Sequence, residues 1–230
     1  MNKVIFFQII FFVISYSLLA CSSDKDSKSN KEITNNTPLI VDKNEKDSTN
    51  IPKVVYPWID KLSKINSGFH IDSFSLYNKN TIDFILTVEY KPIKEVKLYN
   101  KLFSFSPDSS KFIDIYSYNT ILSLENNKTK VLFDVDSEAS LVVLDKKKKY
   151  RLLFLGSMGG FDDIFWINNY EFVIVGYHEE INVNTNNSVY CPDIWHYNLN
   201  ENIVLHYQGT CCKSYIFDYF ENKFPDLIIE

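Results

Sequence analysis

The sequence predicts an all-β fold, an antiparallel meander preceded by one short helix. Three observations carry that prediction. Phe and Tyr number 18 and 15 among 230 residues, and aromatic and β-branched side chains suit half-buried pleated surfaces. Short apolar runs recur along the chain, each bounded by Asn, Asp, Gly, Ser or Lys, which is the pattern of strands joined by turns. One run, Ile82 to Tyr90, alternates with period two and places Ile82, Phe84, Leu86, Val88 and Tyr90 on one face.

Taken in order, the elements begin with a helix. Trp58-Ile59, Leu62 and Ile65 recur at helical spacing, with Pro57 near the start and Gly68 just past the end. Strand-like runs follow at Ile82 to Tyr90, Phe112 to Tyr116, Val131 to Val135 and Leu141 to Leu144. Leu152 to Leu155, Ile164 to Ile167, Phe172 to Val175 and Ile203 to Tyr207 complete the series.

The second half echoes the first. Phe103 to Tyr116 reads as strand, turn, strand, and Phe165 to Val175 repeats the shape about sixty residues later. Each is followed by a hairpin, Ile121 to Phe133 through Asn126-Asn127 and Ile194 to His206 through Asn200-Glu201-Asn202. Repetition of a four-stranded unit is a sign of propeller architecture. The segment Phe105-Ser106-Pro107-Asp108-Ser109-Ser110-Lys111-Phe112 resembles the Phe-Ser-Pro-Asp-Gly-Lys turn of WD-type and Tol-Pal-type β-propeller blades, with Ser109-Ser110 where those blades favour glycine. The resemblance covers about 100 residues. At roughly 40–45 residues per blade, the domain has room for about four blades, and two are recognisable. A partial or small propeller and a β-sandwich with blade-like hairpins are both compatible.

The first twenty-one residues carry an address. Lys3 opens a basic start, Val4 to Tyr16 is apolar apart from Gln8 and Ser15, and Leu18-Leu19-Ala20-Cys21 follows. This is the layout of a secretory signal, and Leu-Leu-Ala-Cys matches the lipobox of bacterial lipoproteins. The resemblance implies cleavage before Cys21 and lipidation of that cysteine. The bland alternatives are an uncleaved span, for which Val4 to Ala20 is about the minimum length, and an ordinary signal peptide with a chance cysteine. Ser22-Ser23 after Cys21 resembles outer-membrane sorting. The Asn-, Lys- and Ile-rich composition with Arg151 as the single arginine is similar to uncharacterised lipoproteins of Bacteroidota. The reading divides the chain into a signal peptide at 1–20, a lipidated Cys21 with a polar tether to residue 50, and a β-rich domain at 51–230. The tether is too polar to offset its ordering entropy, and about thirty such residues would reach roughly 30 Å.

Charge excludes one class. The net charge is −5, and phosphate neutralisation needs a concentrated basic face, so no nucleic-acid partner is expected. The cysteines leave alternatives. An exported chain permits disulfides, and Cys191 with Cys211 or Cys212 would close a loop of about twenty residues, contributing about 3 kcal/mol. A vicinal Cys211–Cys212 bridge and free thiols remain open.

Candidate chemistry is sparse. Gly156-Ser157-Met158-Gly159-Gly160 lacks the Gly-Lys-Ser/Thr of a P-loop and reads as a strand-to-strand loop. Lys146 to Lys149 reads as a solvated hairpin tip that deters edge pairing, or as a contact for anionic headgroups. Asp134-Val135-Asp136-Ser137-Glu138 spaces carboxylates as calcium loops do, without the loop glycine or distal glutamate, and reads as a solvated turn. His178, Glu179, Glu180, Cys191, Asp193, His196, His206, Cys211 and Cys212 gather potential ligands in the last third. No paired Cys-x-x-Cys or His-Glu-x-x-His spacing accompanies them. Structural roles are therefore expected for the histidines, with His178, Cys191 and His196 as the metal alternative. Phe161, Asp162, Trp166, Trp195 and Tyr197 are the expected binding surface. No Gly-x-Ser-x-Gly elbow is present, and no cofactor is expected. The sequence thus predicts a lipid-anchored binding or scaffolding module of the cell envelope, held at the outer membrane and facing a protein or glycan partner. The alternative is an envelope hydrolase or metal-binding enzyme using the C-terminal His/Cys/Asp cluster.

Overall fold

The structure is a computed structural model that describes residues 50–65, 68–90, 96–126, 128–182, 186–215 and 219–229. The expected signal peptide at 1–20, Cys21 and the expected tether up to residue 49 lie outside the described residues. What is described is mostly β. Helix α1 (Tyr56–Ile65) is followed by strands β1 (Ser75–Thr81) and β2 (Ile85–Glu89), then the short helix α2 (Val96–Tyr99). Strands β3 (Ser104–Phe105), β4 (Lys111–Asp114), β5 (Thr120–Glu125), β6 (Lys128–Phe133), β7 (Ser137–Val143) and β8 (Lys148–Gly156) form the first half. The second half holds β9 (Gly159–Asn168), β10 (Glu171–Asn182), β11 (Asn187–Asn198), β12 (Ile203–Gln208), helix α3 (Tyr219–Lys223) and β13 (Leu227–Ile229).

Among the described residues these strands form three sheets. Their strand orders are β1-β12-β11-β10-β9, β2-β8-β7-β4-β3 and β13-β6-β5. Every pairing is antiparallel except that of β13 with β6. The centre of the first sheet is buried on both faces, which explains why Phe172-Val173-Ile174-Val175 is apolar without alternation. All four residues are fully buried, yet they divide by parity. Phe172 and Ile174 join Ile113, Leu141, Phe161, Trp195 and Tyr197 in one core. Val173 and Val175 pack with Ile194 and Tyr207 beneath Val55, Trp58 and Leu62 in the other. Ile51, Val55, Trp58, Ile59 and Leu62 are buried in the N-terminal segment, the last four at the spacing of one helical face.

The echo in the sequence has two structural outcomes. Its later copy makes four adjacent strands, β9 to β12, of a single sheet. The earlier copy is divided, with β3 and β4 in one sheet and β5 and β6 in another. Asp114 marks the division, because its carboxylate accepts the Tyr116 and Ser117 N–H groups at 3.2 and 2.9 Å and turns the chain out of the sheet. The turn between β3 and β4 is fixed by local geometry. Ser109 adopts φ +54°, the left-handed conformation for which glycine is the usual residue, while Asp108 accepts the Ser110 N–H at 3.0 Å.

Some local expectations shift. The run from Ile82 to Tyr90 is not one strand face, since β2 spans only Ile85–Glu89. Ile82 is buried, but Phe84 and Ile85 are exposed. The cause is a crossing between sheets. The Ile82 N–H bonds Asn202 O at 3.1 Å beside the first sheet, and the chain then pairs with β8 in the second. Strand β1, with sequence Ser-Leu-Tyr-Asn-Lys-Asn-Thr, carries no apolar run to announce it. The lysine-rich segment is a hairpin tip, with Lys147 at φ +50°, although Lys149 turns inward to Glu138 at 3.4 Å. Glu138 also pairs with Arg151 at 2.7 Å and is only 3% exposed. It is therefore unavailable to a calcium loop, and the expected solvated turn is solvated only at Asp134 and Val135.

Candidate functional site

The first core is apolar over most of its length and becomes polar where β10, β11 and β12 extend past it. Register places His178 opposite Cys191 and Trp195 opposite His206. Asp193 lies opposite both Gly176 and Gln208. Alternation puts all these side chains on one face. Asp193 is fully buried and bridges two imidazoles. Its Oδ1 accepts from His206 Nε2 at 2.7 Å, and its Oδ2 is bonded to His178 Nδ1. His178 Nε2 in turn meets Glu180 Oε1 at 3.1 Å and the Gln208 side-chain amide at 3.2 Å. The indole of Trp195 stacks on His206 with ring centroids 5.2 Å apart, and Tyr77 meets the same imidazole edge-on at 5.1 Å. These groups open into a recess of about 230 Å³ whose apolar wall is Leu153 and Leu155.

The electrostatics follow from that bridge. The hydrogen bond to Asp193 and its charge, with help from Glu180, hold the His178 pKa up at about 9 against the opposing effect of burial. His178 is therefore cationic at neutral pH. A histidine raised in this way stabilises the folded chain fully below pH 6.5 and loses that contribution as pH rises through about 9. A buried charge is costly unless paired, and Asp193 is paired twice.

A second buried carboxylate has a different role. Asp162 is the extra residue of a β-bulge, since Val175 pairs with Asp163 while Gly176 pairs with Phe161. Gly176 permits the close approach, because a Cβ there would lie 2.1 Å from Gly160 O. The bulge turns Asp162 toward α1, where its Oδ2 accepts Trp58 Nε1–H at 2.8 Å and Tyr215 O–H at 2.6 Å. Burial lifts its pKa to about 6, against the lowering effect of those two bonds. The folded state thus binds this proton more tightly than the unfolded state. Its contribution costs about 3 kcal/mol above pH 6 and is relieved as pH falls from 6 toward 4. Asp162→Asn should accordingly stabilise the chain by one to several kcal/mol at pH 7.5 and much less at pH 4, read by urea unfolding at both pH values. Equal effects at the two pH values would refute the assignment.

The residues expected to form a binding surface occupy other positions. Phe161, Asp162, Trp195 and Tyr197 are between 2% and 8% exposed, and Trp166 packs on the same core with its Nε1–H donated to Ser104 O at 3.0 Å. The four aromatics belong to the core and Asp162 is a buried carboxylate, because their strands are covered on both faces. Phe161 and Asp162 reach a second recess of about 340 Å³ with Tyr116, Asn119 and Tyr177, and Trp195 reaches the histidine recess. Of the cysteine alternatives, the structure has Cys191 bonded to Cys211, with Cys212 outside the disulfide.

The metal alternative is divided by strand parity. His178 and Cys191 are register partners on the recess face, whereas His196 faces the other way and bonds Glu171 Oε1 at 2.7 Å. The ligand atoms of His178, Glu180 and Cys191 lie within 4.8 Å of one another, but the Cys191 sulfur is committed to the disulfide and offers no thiolate. Gln208 and Tyr77 were not anticipated from the sequence. Gln208 stands two residues from His206, and period-two reading of β12 places it on the same face. Tyr77 sits in the polar strand β1, where a β-bulge between Leu76 and Asn78 obscures the period. Comparison with known proteins finds no matching family model, curated protein or solved structure.

Proposed function

We propose that the chain is a lipid-anchored binding module of a bacterial cell envelope, held through Cys21 and presenting the Asp193 recess to an envelope protein or glycan. The buried Asp193 bridging His178 and His206 carries the binding part of this reading. A fold seeking stability alone would fill that position with apolar packing, and the bridge instead holds two imidazoles beside an opening lined by Leu153, Leu155, Tyr77 and Trp195. The anchoring part rests on Leu18-Leu19-Ala20-Cys21. It is supported by the Cys191–Cys211 disulfide, a bond that persists in oxidising compartments. The blade-like strands β9 to β12 form the rigid frame of the site, and a small or partial propeller remains the finer reading of the fold. The same bridge favours a second reading, in which the His/Asp cluster serves an envelope hydrolase.

The test is capture from living cells. A tagged chain is cross-linked, the envelope is solubilised, and bound material is identified beside Cys21→Ala and Gln208→Ala controls. A stoichiometric envelope partner lost in both controls is the expected result. A partner retained in full by Gln208→Ala would move the interaction away from the recess.

A further inference from the structure

Two polar groups of the recess converge on His178 Nε2. His178 Nε2 is met by a Glu180 carboxylate oxygen at 3.1 Å and by the Gln208 carboxamide at 3.2 Å. With the amide nitrogen of Gln208 toward His178, two donor groups would face each other while the ring also donates to Glu180. Turning the amide, a rotation that exchanges its oxygen and nitrogen, directs two oxygen acceptors at one imidazole nitrogen. That is an environment built for a cation.

The spacing fits an ion in place of the shared proton. Bonds of about 2.0–2.1 Å to nitrogen and oxygen in a tetrahedral site separate neighbouring ligand atoms by about 3.3 Å, close to the 3.1 and 3.2 Å that separate His178 Nε2 from the Glu180 and Gln208 groups. The remaining geometry is that of a supported ligand. Asp193 has both oxygens engaged by imidazoles, so it does not itself bind the ion. It holds the His178 Nδ1–H, which fixes the ring and presents Nε2 outward, the carboxylate–histidine–metal arrangement. Glu180 and His178 are two residues apart on β10, and Gln208 is brought beside them across β11. Rigid strands therefore supply all three groups.

We propose that His178 Nε2, a Glu180 carboxylate oxygen and the Gln208 amide oxygen bind one zinc-class divalent cation in the recess. Mixed imidazole and oxygen donors suit zinc and its first-row neighbours over magnesium or calcium. Binding displaces one proton from His178 Nε2 to solvent. Three protein ligands leave a coordination position for water or for a group of the partner.

The inference rests on the recess as the ligand-facing feature, and its test needs no envelope partner, so the two readings fail separately. The full chain, purified in detergent and stripped with chelator, is titrated with zinc chloride by calorimetry. One saturable site per chain is expected. Glu180→Ala, at an exposed position that should not disturb folding, weakens it by roughly 10-fold or more, as does Gln208→Ala. His196→Ala, on the opposite face of β11, leaves the affinity unchanged. Absence of saturable binding, full affinity in Glu180→Ala, or equal loss in His196→Ala would each overturn the site.

Discussion

Trp58→Ala should cost the domain about 4 kcal/mol, the range of large aromatic truncations in packed cores. Trp58 is 1% exposed and ties α1 to the central sheet, touching Phe74 with ring centroids 6.0 Å apart. Its indole also donates one of the two hydrogen bonds that Asp162 receives deep in the fold. The truncation therefore opens a cavity and removes a donor from a buried carboxylate, two separable losses. Trp58→Phe restores most of the volume without the N–H, so its cost should be about 1–2 kcal/mol, the penalty of an under-satisfied buried acceptor. Urea unfolding of the three chains at pH 7.5 checks the order. If Trp58→Phe matches the wild-type chain, the indole–carboxylate bond contributes nothing. If it matches Trp58→Ala, packing by the ring contributes nothing.

The fold was legible where apolar periodicity was strong. Trp58-Ile59, Leu62 and Ile65 announced α1, and the runs at 172–175, 194–197 and 203–207 lie in β10, β11 and β12. Strand β1 was not legible, because its seven residues pair at a sheet edge with little to bury. Ile82 to Phe84 misled for a related reason, since alternation continues in sequence while the chain passes between two sheets. The division of the first repeat depended on a single side chain, Asp114, whose turn-forming bonds have no periodic signature.

The site was legible in its composition and not in its geometry. The C-terminal third held every histidine of interest, but only strand register separates His178 and His206, on one face with Asp193, from His196 on the other. The aromatics expected at the surface illustrate the converse. Trp195 and Tyr197 looked available because one sequence does not show that both faces of their sheet are covered. Their burial follows from the second sheet and α1 packing on opposite sides, a tertiary fact. Cys191 found Cys211 because their Cα atoms lie 4.0 Å apart, a proximity that spacing alone left open between Cys211 and Cys212.

Replacing Cys21 should have the largest effect on where the protein resides. Two or three acyl chains hold a protein firmly, since each buried methylene contributes about 0.8 kcal/mol and a single chain gives only marginal binding. On the proposed anchoring, losing the cysteine removes the thioether and the acylated N-terminus, so Cys21→Ala should release the chain from the membrane pellet into the soluble fraction or leave an unprocessed precursor. The direct measurement is intact mass on protein extracted from membranes. The account predicts a chain that begins at Cys21 and carries the added mass of a diacylglyceryl group with or without an amide-linked acyl chain. A chain retaining residues 1–20, or one beginning near residue 21 with an unmodified cysteine, would contradict it.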